Sequence, residues 1–218
     1  MRRSVYTAVA AAAAITAIVA AVALAAPVSS KPPTITGKPD YAQTLTCNRG
    51  AWSSDAVSFT YAWAISGGST IATGQSLEVP QSAIGFTVVC IVTAHDRRGQ
   101  TTPASSAQVL IGQGISTVKI TKATAHHGLV TISGTVGPAA ARRKGLDGWS
   151  TVVLDRELSS RIDVQQISNG PKIVRARNGS FSVSGHDTRG KHTYVVNFDP
   201  SAGSGYAPGS ATRRLTVH

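Results

Sequence analysis

Aromatic side chains are scarce in this chain of 218 residues: Phe, Trp and Tyr together make up 6% of it. Acidic residues are fewer still, 10 Asp and Glu against 21 Lys and Arg, and there are two cysteines and one methionine. Only 14% of residues are charged, which excludes a highly charged disordered tail, and a mean hydropathy near zero excludes a polytopic membrane protein. No Gly-x-Ser-x-Gly, His-Glu-x-x-His, P-loop or Rossmann fingerprint occurs. Beyond the N-terminal run no useful stretch carries the 3.6-residue period of a helix. What the chain does have is apolar residues at every second position, with 21 glycines and 10 prolines to separate them. This pattern predicts an all-β protein of tandem antiparallel β-sandwiches behind an N-terminal signal helix.

Residues 1–26 read Met-Arg-Arg and then an Ala/Val/Ile-rich run from Val5 to Ala26, relieved only by Tyr6, Thr7 and Thr16. A basic start before an apolar core marks export, and Ala23-Leu24-Ala25 offers the small residues a signal peptidase reads. Residues 1–25 are therefore expected to be a signal peptide cut after Ala25, with residues 26–32 a short stiff linker through Ser-Ser-Lys-Pro-Pro. The competing reading is an uncleaved anchor, since about 20 apolar residues just span a bilayer. Alanine adds little transfer free energy and no basic cluster follows, which favours cleavage. Membrane contact is then expected only through the leader.

In residues 33–112, alternation runs through Phe59-Tyr61-Trp63-Ile65 and Val88-Cys90-Val92-Ala94, with turns at Gly37–Asp40, Asn48–Gly50, Gly67–Ser69 and Asp96–Gly99. Cys47 and Cys90 both fall in strand-like segments of an exported chain, so a bridge between them is the economical reading. Trp63 lies between them, giving the Cys…Trp…Cys order of an immunoglobulin sandwich, in which the indole packs on an inter-sheet disulfide. Two free catalytic or metal-binding cysteines are the alternative, and that role needs a close His or a second ligand pair, neither of which the sequence supplies.

The segments Pro33–Pro39, Gln43–Cys47, Gly50-Ala51-Trp52, Tyr61-Ala62-Trp63, Ile84-Gly85 and Val89–Ala94, in that order over residues ~31–111, resemble the Ig-like repeat of secreted and surface proteins of high-GC Gram-positive (actinobacterial) bacteria. Ala42 stands where those repeats usually have Gly, and Ala83 where an Asp is common. The resemblance implies a spacer, adhesive or wall-associated role and brings no active site.

Residues 115–218 continue the alternation in Val118-Ile120, Val130-Ile132, Val153 with its neighbours Val152 and Leu154, Phe181-Val183, Tyr194-Val196-Phe198 and Leu215-Val217. They predict a second sandwich without cysteines, more loosely similar to bacterial Ig-like or fibronectin-like accessory domains. The boundary is placed at Gly112-Gln113-Gly114, whose glycines suggest a compact hinge.

Charge is unevenly shared. Residues 27–113 hold five basic and four acidic residues, and residues 114–218 hold fourteen and six. Arg142, Arg143, Lys144, Arg175 and Arg177 are the candidate polyanion-binding residues, with Arg189-Lys191 and Arg213-Arg214 following. Edge-strand protection and solubility explain the same residues without a ligand. Asp155 and Glu157 share a strand face ~7 Å apart, a spacing that suits a carboxylate pair or a solvated edge. Adjacent His126 and His127 point to opposite faces of a strand unless a turn intervenes. Neither a metal nor a cofactor is called for.

These features predict a secreted or envelope-associated, non-enzymatic, structural or adhesive binding module. Its expected partners are an anionic envelope polymer, a glycan or another surface protein. Specific nucleic-acid recognition is not expected, because aromatic residues do not interleave with the basic ones. The competing function is a secreted carbohydrate- or peptidoglycan-acting protein, which a cavity gathering Asp155, Glu157 or a histidine pair would favour.

Overall fold

The computed structural model describes residues 26–142, 150–158, 164–174 and 178–218. The leader, Arg143, Lys144, Arg175 and Arg177 lie outside the described residues. Among those described, every element is a strand except two single 3-10 turns, Gln81–Ala83 and Ala139–Arg142. The chain is all-β, and its strands form two antiparallel Ig-like sandwiches in tandem.

In the first sandwich the strands are β1 (Ser29–Lys31), β2 (Thr34–Thr36), β3 (Thr44–Asn48), β4 (Ala51–Trp52), β5 (Ser58–Ile65), β6 (Thr70–Thr73), β7 (Ser76–Glu78), β8 (Thr87–His95), β9 (Thr101–Ser105) and β10 (Val109–Leu110). One sheet runs β10-β8-β5-β6, with β9 also paired to β8; the facing sheet runs β2-β3-β7, and β1 pairs with β4. The two alternating runs of the sequence are cross-strand partners: Phe59 opposes Ala94, Tyr61 opposes Val92, Trp63 opposes Cys90 and Ile65 opposes Val88. Directly opposed side chains share a face, so this register turns both apolar sets into one core. Cys47 of β3 is bonded to Cys90 of β8 with Cα atoms 6.1 Å apart, tying one sheet to the other. Trp63 is fully buried beside the bridge, and its Nε1 donates to the Gly74 carbonyl at 3.0 Å, so burial of the indole leaves no polar atom unpaired. Residues 29–31, expected to be linker, instead add strand β1 along Ala51–Trp52. The extended bias of a chain leading into Pro32-Pro33 lets that stretch pair with a free strand edge.

The second sandwich contains β11 (Thr117–His126), β12 (Leu129–Gly137), β13 (Thr151–Glu157), β14 (Val164–Gln166), β15 (Lys172–Ile173), β16 (Ser180–His186), β17 (Gly190–Asp199) and β18 (Gly209–Val217). Its sheets run β11-β12-β16 and β14-β13-β17-β18, with β15 also on β13. Val130, Ile132, Val152, Leu154, Tyr194, Val196 and Phe198 are fully buried between them. The run Val152-Val153-Leu154 does not alternate, so sequence leaves its facing open. The structure turns Val152 and Leu154 inward, opposite Phe198 and Val196, and Val153 outward. His127 and Gly128, with φ of 49° and 77°, make the two-residue turn between β11 and β12, a type I′ geometry that matches strand twist.

The glycines at 112 and 114 do not act as a swivel. Gly112 N–H donates to the Pro39 carbonyl and its own carbonyl accepts from Tyr41 N–H; Gly114 N–H donates to Gly205 and its carbonyl accepts from Ala207 N–H, all at 2.8–3.0 Å. The Tyr41 ring meets Tyr206 edge-on at 5.1 Å, and Gln81 Nε2 donates to the Gly203 carbonyl at 2.6 Å. Tyr41 and Ala42 thus pack on the core of the second sandwich. A Cβ on Gly114 would stand 2.6 Å from the Tyr206 ring, so the residue type at 114 serves close approach.

Two outcomes are expected. Replacing both Cys47 and Cys90 by Ala opens a link between residues 43 apart and should lower the denaturant-unfolding free energy by roughly 2–5 kcal/mol. The native protein, unreduced, should take up no alkylating reagent. Gly114→Ala overpacks the joint and should destabilise by about 1–3 kcal/mol while broadening the distance distribution in small-angle scattering. Gln113→Ala, exposed in the same stretch, should do neither.

Candidate functional site

Two polar regions of the second sandwich gather charged side chains. The first is internal. Asp187 follows β16 in the turn to β17, and its buried carboxylate accepts from Arg156 Nη1 at 2.5 Å, Thr188 N–H at 2.7 Å and the Tyr194 hydroxyl at 3.0 Å. Arg156 of β13 opposes Tyr194 of β17 in register, which is how strand alternation delivers both to one carboxylate. Arg156 Nη2 also donates to Gln165 Oε1 at 2.7 Å. Burial, chiefly, and then the hydrogen bond and negative charge of Asp187 raise the Tyr194 phenol above its ordinary range, against an opposing pull from Arg156. Both oxygens of Asp187 accept from donors within the fold, Oδ1 from Arg156 and Thr188 and Oδ2 from Tyr194, so the cluster ties β13, β17 and the turn between β16 and β17 together.

The second region is the outer surface of β17 and β18. Lys191 opposes Thr216 and Thr193 opposes Arg214, so these four side chains share a face. Lys191, Thr193 and Arg214 line a shallow depression of about 490 Å³. Arg214 also lines a neighbouring one of about 600 Å³ together with Glu157, Thr212 and Arg213. β18 is the last strand of its sheet, and Lys191, Arg213 and Arg214 are exposed. This is a rim of cations with hydroxyls between them, suited to an extended anion and shaped too openly to enclose a reacting bond.

Neither a family model nor a curated protein matches the chain. Solved structures that resemble it include the FN1–FN3 domains of chicken CNTN1 (14% identity, 88% of this chain and 67% of that one, TM-score 0.32). A D1–D4 ectodomain fragment of ICAM-5 matches at 14% identity over 85% of this chain and 53% of that one, TM-score 0.34. A 1.5-MDa bacterial ice-binding adhesin, in a structure concerned with host cell surface retention, matches at 18% identity over 87% and 65%, TM-score 0.29. At such scores the fold assignment rests on the strand pairings above.

Of the candidate cationic set, only Arg142 is described. Its Nη1 donates to the Val136 carbonyl at 2.7 Å, and its guanidinium lies over Gly179, where a Cβ would meet it at 2.4 Å. That guanidinium is engaged with backbone. Arg143, Lys144, Arg175 and Arg177 fall outside the described residues. Asp155 is buried and its Oδ2 accepts from Asn197 Nδ2 at 2.7 Å, while Glu157 lines the depression beside Arg213 and Arg214. The two carboxylates are thus held in different surroundings although they share a strand face. His126 and His127 do come together, rings 4.1 Å apart, because the turn starts at His127. Among the described residues no group of three His, Cys, Asp or Glu could hold a metal ion. The sequence held one signal for the internal cluster, the Asp-Thr-Arg-Gly turn after β16; its partner Arg156 is 31 residues away and needed the register.

Tyr194 sets an alkaline limit. Folded Tyr194 keeps its proton above the pH of about 10 at which an unfolded tyrosine loses it. Above that pH the folded state holds more protons than the unfolded state, so stability falls as pH rises. Denaturation from pH 8 to 11.5 should show a decline that is shallower in Tyr194→Phe.

Proposed function

We propose that this chain is an exported, non-enzymatic structural and adhesive module of the bacterial envelope, a two-sandwich arm that holds an anionic surface polymer along β17 and β18. The observation that carries the reading is the joint: the stretch between the sandwiches is hydrogen-bonded on both sides and capped by Tyr41 against Tyr206, as a spacer transmitting orientation requires. A disulfide-tied Ig-like sandwich suits an oxidising, extracellular setting. The likeness of residues ~31–111 to actinobacterial surface repeats supports the same location, as does the N-terminal run read as a leader. The excess of fourteen basic over six acidic residues in 114–218 supports an anionic partner, a teichoic-type polymer or acidic glycan.

An enzymatic role finds less support, because Asp155 is engaged with Asn197 and Glu157 shares its depression with two arginines. The polymer reading is tested with the full chain on immobilised teichoic acid across 50–300 mM salt. Neutralising about two contacts should make the Lys191→Gln/Arg214→Gln double variant bind more weakly, with the slope of log affinity on log salt shallower by roughly 2. Unchanged affinity and slope would assign Lys191 and Arg214 to edge protection instead.

A further inference from the structure

Immediately after Cys47 the chain turns at Asn48-Arg49-Gly50, and this turn is held from three sides. Gly50 has a φ of 75°, and a Cβ there would fall 2.1 Å from the Lys31 carbonyl, so the turn lies tucked under β1. Trp52 Nε1 donates to the Arg49 carbonyl at 2.8 Å, and the Trp52 ring is inclined on Phe59 at 5.9 Å. The Arg49 guanidinium lies over the face of Phe59, 4.6 Å from the ring centre. Attraction of that kind holds the guanidinium at the ring face and leaves its N–H groups able to donate to an acceptor elsewhere. Among the described residues no carboxylate or carbonyl accepts from those donors.

Beside this turn runs an open groove of about 560 Å³ lined by Lys31, Thr34, Asn48, Arg49, Tyr61 and Gln75. A second depression of about 380 Å³, containing Trp52 and Phe59, shares Arg49 and Gly50 with it. Gln75 is fixed by its own carbonyl, which accepts from Cys47 N–H at 2.8 Å, so one wall is anchored to the disulfide. The lining takes two of the five cations of residues 27–113 and none of the four acids. Two primary amides add paired donors and acceptors, and Tyr61 adds a half-buried aromatic wall. Amides and an aromatic ring match the hydroxyls and C–H face of a sugar; the unpaired guanidinium and the ammonium match an acid group upon it. A bare inorganic anion would leave the amide acceptors and the ring unused.

We propose that this groove is a binding site for acidic saccharides, with a uronate ring against Tyr61 and its carboxylate between Lys31 and Arg49. The site belongs to the first sandwich and shares no residue with the β17–β18 face, so it is independent of the polymer reading.

The test uses the full chain and three probes: an oligogalacturonate of four to six units, a neutral malto-oligosaccharide of the same length, and inorganic polyphosphate. Calorimetry and amide chemical-shift mapping should show the oligogalacturonate binding at Asn48, Arg49 and Gln75. Affinity should fall by about tenfold in Arg49→Gln and again in Lys31→Gln, and the neutral sugar should bind the unaltered chain about tenfold more weakly. Lys31→Gln, outside the Phe59 stack, keeps the test sound if Arg49→Gln loosens the turn. Lys191→Gln/Arg214→Gln should leave this binding unchanged. Equal affinity of the Lys31→Gln/Arg49→Gln double variant and the unaltered chain overturns the site. Polyphosphate binding at these residues as tightly as the uronate overturns its assignment to a saccharide. Loss confined to the Lys191 and Arg214 variant overturns it too, moving the glycan to the second sandwich.

Discussion

The covalent tie between Cys47 and Cys90 does more than hold two sheets together. Cys90 opposes Trp63 in register, and Trp63 reaches across to the Gly74 carbonyl, so the bridge, the indole and the β6–β7 turn form one unit. Cys47 donates its N–H to Gln75, the next residue along, and is followed directly by the Asn48–Gly50 turn. A chain with so few aromatic residues spends one of its three tryptophans at this point. Small domains bury a modest share of their apolar surface, so a link worth roughly 2–4 kcal/mol through its constraint on the unfolded chain is a large part of their stability. Two residues of the Arg49 groove, Asn48 next to Cys47 and Gln75 bonded to its N–H, are tied to that link.

The second sandwich solves the same problem without cysteine. Its core uses Tyr194 and Phe198 as large fillers, and the phenol at the end of Tyr194 has to be satisfied where water is excluded. Asp187 supplies the acceptor and Arg156 neutralises the carboxylate that does so. Asp187 is the shared partner, so its removal would leave the Tyr194 hydroxyl without its acceptor and Arg156 without its counter-charge, and the cluster behaves as a polar staple in a sandwich without a disulfide.

Between the sandwiches, small residues permit what large ones complete. Glycines at 114 and 205 let the Tyr206 and Tyr41 rings approach the backbone, and Ala42 adopts a φ of 60° at the joint. The methyl of Ala42 packs on the neighbouring core, a contact glycine would lack. Accepting a left-handed alanine costs roughly 1–2 kcal/mol, which places a strained backbone at the junction. Backbone hydrogen bonds from Gly112 to the first sandwich and from Gly114 to the second hold the same short stretch on both sides.

The amino-acid sequence alone determined the class of the fold, because period-two burial admits only strands. It also marked the turns at Asn48–Gly50 and Asp96–Gly99, and pointed to a bond from Cys47 to Cys90 around Trp63. Tertiary structure decided the rest. The facing of Val152-Val153-Leu154 carries no alternation to read, so only pairing with β17 could choose it. Gly112 and Gly114 read as a hinge because sequence shows permissiveness and not the Tyr206 ring that makes glycine necessary. Sequence presents Arg142 as a surface cation and Arg49 as a turn residue; the fold puts the Arg142 guanidinium on the Val136 carbonyl and that of Arg49 over Phe59. A charge in a sequence has a sign and no neighbours; register and sheet packing supply the neighbours, and with them the chemistry.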